Sequence, residues 1–293
     1  MKNKLITICV LLILIFTSLS VLSNTSSKVD SKSINVLKDV SQEFDFPLHS
    51  NSYMLVDLSD FKILYAHKND IQIYPASLTK VMTLATVLDL CEDLDDVSFV
   101  SNQQVEDLIV EDASIAELQR DYDYTIRDLL YALILPSGAD AALALENYFA
   151  YRGIDLVKQM NIHAQEIGCT NTHFMNSTGL HDDDHYTSLD DLYLIVMDTL
   201  KHEEGRAMLS SLYYQLEDGL RVSTGVRMVS RTMKADVLGG KTGYTDEAGQ
   251  NIIVLYRNKG RSFVLLLANA MGKYSNDEYW HFDDALEIFD QLY

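Results

Sequence analysis

Basic residues, proline, glycine and cysteine are all scarce in this 293-residue chain, and each shortage excludes something. Lysine and arginine number 23 against 43 aspartates and glutamates, for a formal net charge of −20 and an isoelectric point near 4.6. That balance argues against a phosphate-backbone partner, so no nucleic acid is expected. Only three prolines and thirteen glycines rule out a collagen-like or low-complexity chain. The three cysteines are scattered: Cys9 in the N-terminal apolar run, Cys91 and Cys169 far apart in the body. With no Cys-x-x-Cys pair, neither a disulfide framework nor a thiolate zinc site is indicated. Cys91 and Cys169 read as two separate buried thiols, with pairing left open. What the chain does have is hydrophobic mass, 47% of its residues, enough to bury a large core.

The N-terminus carries the signs of a targeting segment. Lys2 and Lys4 precede a nearly unbroken Leu, Ile and Val run from Leu5 to Phe16, followed by polar residues and a small-residue cleavage site after Ser23. The run also approaches the ~18 residues that span a bilayer, so an uncleaved anchor with its lysines inside is the alternative. Either way the body is expected outside the cytoplasm, secreted or held at the outer face of the membrane, with membrane contact only through this segment. Residues 1–23 are thus taken as leader or anchor and 24–52 as linker and lead-in. Residues 53–293 are taken as one domain, with no second domain evident after its last helix.

The organising stretch is Tyr74-Pro75-Ala76-Ser77-Leu78-Thr79-Lys80. A serine and a lysine three residues apart share one face of a helix. A lysine buried beside a hydroxyl can lose its proton, because desolvation disfavours its charged form. Ser77 would then be a nucleophile whose base is Lys80, with no histidine needed. Alone, such a pair occurs by chance in many helices. Its weight depends on whether the partners that such a serine needs occur further along the chain.

Around it the chain has an α/β grammar. Residues 53–57 and 62–66 flank a turn and predict a hairpin, and the Ser77 helix runs to about Leu90. Residues 91–124 are acidic and mixed, and predict excursion loops with short strands or a helical turn. Thr125 caps a helix that stops at Pro136. Ser137-Gly138-Ala139-Asp140 makes a tight turn, and helices follow over 141–150 and 153–167. Residues 171–180 form an irregular loop. Ser188 with Asp191 opens a helix to Leu200, while 205–235 predicts a short helix and then irregular or extended chain. A glycine-flanked strand carries Lys241-Thr242-Gly243. Two continuously apolar strands, 251–256 and 262–268, predict a sheet covered on both faces, and an amphipathic helix closes the chain.

Ser77-x-x-Lys80, Ser137-Gly138-Ala139 and Lys241-Thr242-Gly243, in that order, resemble the triple signature of the active-site-serine penicillin-recognising enzymes. Residues 75–80, Asn171-Thr172-His173-Phe174, Thr178-Gly179-Leu180-His181-Asp182 and 240–245 are similar to the low-molecular-mass penicillin-binding proteins that act as serine D-Ala-D-Ala carboxypeptidases. The likeness covers the chain from about Tyr53 onward. It implies a β-lactamase/transpeptidase-like α/β (α+β) sandwich, a mainly antiparallel sheet flanked by helices with a helical subdomain. It implies catalysis by Ser77, Lys80 and Ser137, and substrate binding by Lys241, Thr242, Gly243 and Thr245. The oxyanion hole would come from the backbone N–H groups of Ser77 and Tyr244. Peptidoglycan stem peptides would be the substrate and β-lactams covalent inhibitors, with no cofactor or metal in the chemistry. Arg231 is a candidate helper at the substrate carboxylate. The chain departs from the family at the third position of the middle motif, where the usual asparagine is Ala139.

Other readings share some of these residues. A β-lactamase needs a glutamate-held water, and no Glu-x-x-Leu-Asn run occurs after the middle motif. His181 and His185 have a metallopeptidase spacing without the glutamate between them. A D,D-endopeptidase would use the same groups, and a non-catalytic peptidoglycan-binding or β-lactam-sensing protein would keep the fold without the turnover.

Overall fold

The computed structural model describes residues 42–230 and 236–292, which belong to a compact unit spanning Val40–Tyr293. The leader expected over 1–23, most of the expected linker, and Arg231 lie outside the described residues. No helix among the described residues is long and apolar enough to cross a membrane.

Strands β1 (Ser50–Asp57) and β2 (Lys62–His67) form the expected hairpin. The Ser77 turn comes next and leads into α1 (Thr79–Leu90). A short ladder of β3 (Val97–Ser98) with β4 (Tyr124–Thr125) then brackets α2 (Asn102–Val110). Helices α3 (Ile126–Ile134), α4 (Ala139–Tyr151), α5 (Leu156–Glu166), α6 (Leu189–Thr199) and α7 (Glu203–Leu209) succeed one another. A small hairpin, β5 (Tyr213–Gln215) and β6 (Arg221–Ser223), precedes α8 (Arg227–Ser230). The chain returns through β7 (Asp236–Thr245), β8 (Gly249–Asn258) and β9 (Arg261–Ala270) to α9 (Trp280–Leu292).

The main sheet is antiparallel throughout, in the order β2-β1-β9-β8-β7. Side chains alternate across it, so Tyr53, Leu55, Ile252, Val254, Leu265 and Leu267 pack with Ala285, Ile288 and Phe289 of α9. The intervening Met54, Val56, Ile253, Leu255, Val264 and Leu266 are buried on the opposite face, where α6 contacts β1 and β9. Both faces are covered, as the continuous apolar runs imply. The β8–β9 turn closes on Lys259 and Gly260, both left-handed (φ 47° and 81°), the backbone of a tight hairpin loop.

Three expectations are corrected. The lead-in expected to run to residue 52 is part of the domain from residue 42. Phe44 stacks on Tyr65 at 4.3 Å and donates its N–H to Tyr53 Oη at 3.0 Å, and β1 begins at Ser50. The stretch between Cys91 and Tyr124, expected as loops with short strands or a helical turn, holds the short strand β3 and, beyond a single turn, the nine-residue helix α2, opened by a reciprocal capping box between Ser101 and Gln104. Its apolar stripe was too thin to show, since only Val105 and Leu108 are buried. The helix expected from Gly153 begins at Leu156, because Asp155 caps it by accepting the Lys158 N–H at 3.0 Å. Cys91 and Cys169 are both free thiols.

Candidate active site

Ser77 sits in a single 3-10 turn, Ala76–Leu78, that feeds straight into α1. The turn is over-determined by its surroundings. Ala76 is held at φ 49°, a left-handed conformation that a residue with a Cβ adopts only at a cost of about 1 kcal/mol or more. Asn251 of β8 braces it, donating from Nδ2 to the carbonyl of Tyr74 at 2.9 Å while its Oδ1 accepts the Asn269 N–H at 2.8 Å. Two missing side chains leave room around the Ser77 nitrogen. A Cβ on Gly179 would lie 2.9 Å from it, and one on Gly243 3.1 Å. The Gly179 position is closed to larger residues outright, since that Cβ would also stand 2.0 Å from the Ala76 carbonyl oxygen.

Lys80, one helical turn on, is 1% exposed. Its Nζ donates to Ser77 Oγ at 3.0 Å and to the carbonyl of Thr178. Burial lowers its pKa to about 7, against which the carboxylate of Asp140 pulls it up. The positive end of α1 also disfavours a cation in its first turn. The Thr178 carbonyl is aimed by Asn176, whose Oδ1 accepts from the N–H groups of Thr178 and Gly179 at 3.2 and 2.7 Å. Asn176 Nδ2 donates to the Leu180 carbonyl at 3.0 Å.

The second serine–lysine pair joins residues 104 positions apart in the sequence. Lys241 of β7 donates from Nζ to Ser137 Oγ at 2.8 Å and to the Thr242 carbonyl at 2.7 Å. Ser137 is itself left-handed at φ 68°, pinned between α3 and α4. Burial pushes Lys241 well below the ordinary lysine range, and the nearby Lys80 ammonium pushes it the same way. An anion beside it would favour its charged form.

The middle motif works differently here from its usual form. Ala139 is buried and lines the cleft without a polar atom to offer, and a carbonyl, that of Thr178, holds the Lys80 ammonium. Asp140 does more than face the dipole of α4. Fully buried, it accepts the N–H groups of Ala116 at 2.8 Å, Leu118 at 3.1 Å and Ala141 at 3.0 Å. It thereby ties the segment before β4 to the start of α4. Asp140→Ala strands three buried donors and is expected to cost about 3 kcal/mol, at ~1 kcal/mol or more for each, in urea unfolding at pH 7. A change within about ±0.5 kcal/mol would mean that water replaces the carboxylate.

These groups open on a cleft of about 910 Å³ lined by Ser77, Lys80, Ala139, Tyr244 and Thr245 among others. Ser137, Lys241, Thr242 and Gly243 do not line it. Thr242 Oγ1 faces the Gly225 side of β7, where a Cβ would approach it to 3.1 Å, so Thr242 contributes its carbonyl to Lys241. Thr245 Oγ1 accepts the Ala248 N–H at 3.0 Å and borders the cleft. The metallopeptidase spacing dissolves. His185 is buried, bonded through Nε2 to Thr79 Oγ1 at 2.8 Å and through Nδ1 to the Met175 N–H at 3.2 Å, and burial lowers its pKa to about 4. His181 lies edge-on to Tyr74 at the cleft wall.

Asn176, Asn251 and the long reach of Asp140 were not singled out by the motifs. Asn176 carries the one local signal, an asparagine three residues before a left-handed glycine (Gly179, φ 81°).

Known proteins are similar to this chain in sequence and in fold. The D-alanyl-D-alanine carboxypeptidase model, peptidase S11, matches residues 38–271. A D-alanyl-D-alanine carboxypeptidase of Bacillus subtilis, DacF, is 30% identical over 208 residues, covering 68% of this chain and 52% of its own. A D-alanyl-D-alanine endopeptidase of Pseudomonas aeruginosa is 28% identical, covering 98% of this chain and 88% of its own. The chain thus spans about half the length of its carboxypeptidase relative. Among solved structures, a variant of the Streptomyces K15 DD-transpeptidase superposes with a TM-score of 0.72 at 24% identity, covering 84% of this chain and 98% of that one. It shares the fold: an antiparallel sheet flanked by helices.

Proposed function

The chain belongs to the D-alanyl-D-alanine carboxypeptidase family of serine peptidases, peptidase S11, and on that footing we propose that it removes the terminal D-alanine from peptidoglycan stem peptides. The observation that carries the reading is Lys80 Nζ, 3.0 Å from Ser77 Oγ, buried, with a pKa lowered to about 7. Lys80 takes the Ser77 proton as Oγ attacks the carbonyl between the two D-alanines. The oxygen that becomes negative lies between the backbone N–H groups of Ser77 and Tyr244, each such donor worth ~3 kcal/mol in a preorganised site. Because Ser137 Oγ accepts from Lys241, its own proton is free to pass to the departing amine of D-alanine while Oγ takes a proton from the Lys241 ammonium in its place. Water then hydrolyses the ester on Ser77. Thr245, which borders the cleft, meets the terminal carboxylate with the buried Lys241 supplying charge, and Gly243 leaves room for the backbone of the Ser77 turn. β-Lactams enter the same cleft and acylate the same oxygen. With a leader over residues 1–23, the site of action is outside the cytoplasm.

The test is D-alanine release from a pentapeptide ending in D-Ala-D-Ala, with penicillin-treated protein in parallel. Release that penicillin abolishes is expected. Protein that penicillin acylates but that releases no D-alanine would overturn hydrolysis in favour of a sensing or binding role. The likeness to an endopeptidase over nearly the whole chain gives a second reading, cleavage of cross-links by the same groups. A cross-linked dimer peptide cut faster than the pentapeptide would favour it.

A further inference from the structure

We propose that Glu146 is a positioning residue for the general base: through the hydroxyl of Ser177 it fixes the Thr178 carbonyl that receives the Lys80 ammonium. The proposal rests on the reading of Ser77 as nucleophile and Lys80 as its base. Glu146 lies on α4, about two turns beyond Ala139, and lines the same cleft as Ser77 and Lys80.

Residues 174–182, which carry Thr178, belong to no helix or strand, so side chains must hold their backbone. Asn161 of α5 closes on Phe174 from both sides, accepting its N–H at 2.9 Å and donating to its carbonyl at 2.8 Å. Asn176 gathers the groups of residues 178–180. Between these two braces sits Ser177, fully buried. Its carbonyl accepts from Thr83 Oγ1 at 2.8 Å, one turn along α1 from Lys80, and its own Oγ donates to Glu146 Oε1. Ser177 is thus fastened to α1 on one side and to α4 on the other. The next carbonyl in the chain is the one that accepts from Lys80 Nζ.

That carbonyl matters more here because Ala139 offers Lys80 nothing. Among the described residues, Ser77 Oγ and the Thr178 carbonyl are the acceptors of Lys80 Nζ. A buried serine hydroxyl needs some acceptor, and a neutral one would satisfy it. A carboxylate makes a shorter and stronger bond, which confines the serine more tightly. Burial pushes the Glu146 carboxyl up, the Ser177 hydroxyl pulls it back down by bonding the carboxylate, and Asp155 is the charge that acts on it. The titratable groups that act on Lys80 are different ones: Asp140 of α4, Lys241 of β7 and His185 beyond the loop. Glu146 therefore reaches Lys80 through Ser177 and Thr178 rather than through its charge.

What the clamp supplies is position. A carbonyl displaced by about 1 Å leaves Nζ free to turn away from Ser77 Oγ, and a displacement of that size costs up to ~10²-fold in rate. It also lowers the Lys80 pKa further, because a hydrogen bond made by the charged form favours that form.

The experiment follows penicillin acylation of the full chain by mass spectrometry from about pH 5.5 to 9. Wild type is compared with Glu146→Ala, Glu146→Gln, Ser177→Ala and the double alanine variant, each with a melting curve to verify folding. Glu146→Ala is expected to acylate ~10-fold or more slowly than wild type. Its pH midpoint should move down from about 7, by ~0.5 unit or more. Glu146→Gln, whose amide oxygen still accepts from Ser177, should keep the wild-type midpoint and lose no more than ~3-fold in rate. Ser177→Ala should match Glu146→Ala, and the double variant should be no slower than either, because all three break one link. Ser177→Ala carries the test by itself if Glu146→Ala does not fold. Wild-type rate and midpoint in the folded alanine variants, a glutamine variant as impaired as the alanine, or losses that add in the double variant, overturn the proposal. A wild type acylated with no midpoint near 7 overturns the reading of Lys80 as base, and this proposal with it.

Discussion

The Ser77→Ala protein is expected to fold, to bind the pentapeptide, and to release D-alanine at least ~10⁴-fold more slowly than wild type. The substitution removes one oxygen from a half-buried position and leaves the brace around it intact. Asn251 still holds the Tyr74 carbonyl, and Gly179 and Gly243 still border the nitrogen of residue 77. The N–H groups of the proposed oxyanion hole therefore survive while the proposed nucleophile is gone, and a group that acts as part of a unit costs nearly the whole effect when removed alone. Mass spectrometry after penicillin treatment is the sharper readout. Wild type should gain one β-lactam per chain and Ser77→Ala none. An adduct on the variant would place the nucleophile elsewhere, and Ser137 would be the first residue to try.

Replacing Lys80 with methionine should slow acylation by penicillin by ~10³-fold, the usual reach of one positioned base. The same change should make the protein more stable. Lys80 falls from the ordinary 10.5 to about 7 on folding, chiefly through burial. Between those two values the unfolded chain holds a proton there that the folded chain has released, so folding gives a proton up to the solution. Wild type therefore gains stability relative to Lys80→Met as pH rises from 7 to 10.5, by up to about 1.4 kcal/mol per pH unit, and is at its greatest disadvantage at and below the lower of those two values. Urea unfolding of both proteins at pH 7 and pH 9 checks the slope. In catalysis the same pKa shows itself as a rise of acylation rate through pH 7, the unprotonated amine being the base. A flat profile from about pH 5.5 to 8.5 would remove Lys80 from that role.

The motif-bearing parts of this fold were legible because their signals are local. Ser77 and Lys80 are three residues apart, the β8–β9 turn announces itself at Gly260, and Thr125 and Ser188 cap the helices they precede. The sheet was visible for the same reason, in strands apolar on both faces. What escaped is held by contacts across the chain. Asn251 reaches Tyr74, Asp140 reaches back to Ala116, and Ser177 meets Glu146 only after its loop has packed on α4. A spacing rule carries no information about such pairs. Thin amphipathic stripes fail for another reason. In α2 two buried residues suffice, because tertiary packing and a capping box do the rest. Ala139 marks the limit of reading a motif letter by letter, since the Thr178 carbonyl that accepts from Lys80 lies outside all three motifs.

Lys241 has a consequence for how the cleft meets its ligand. Burial beside Ser137, and a second lysine nearby, disfavour the charged form of Lys241. A carboxylate entering beside it restores the balance that favours the ammonium. On the proposed function, capture of a peptide carboxylate would therefore be linked to proton uptake from solution. On that reading an amidated peptide end, which brings no charge to favour the ammonium, binds less well than a free carboxylate.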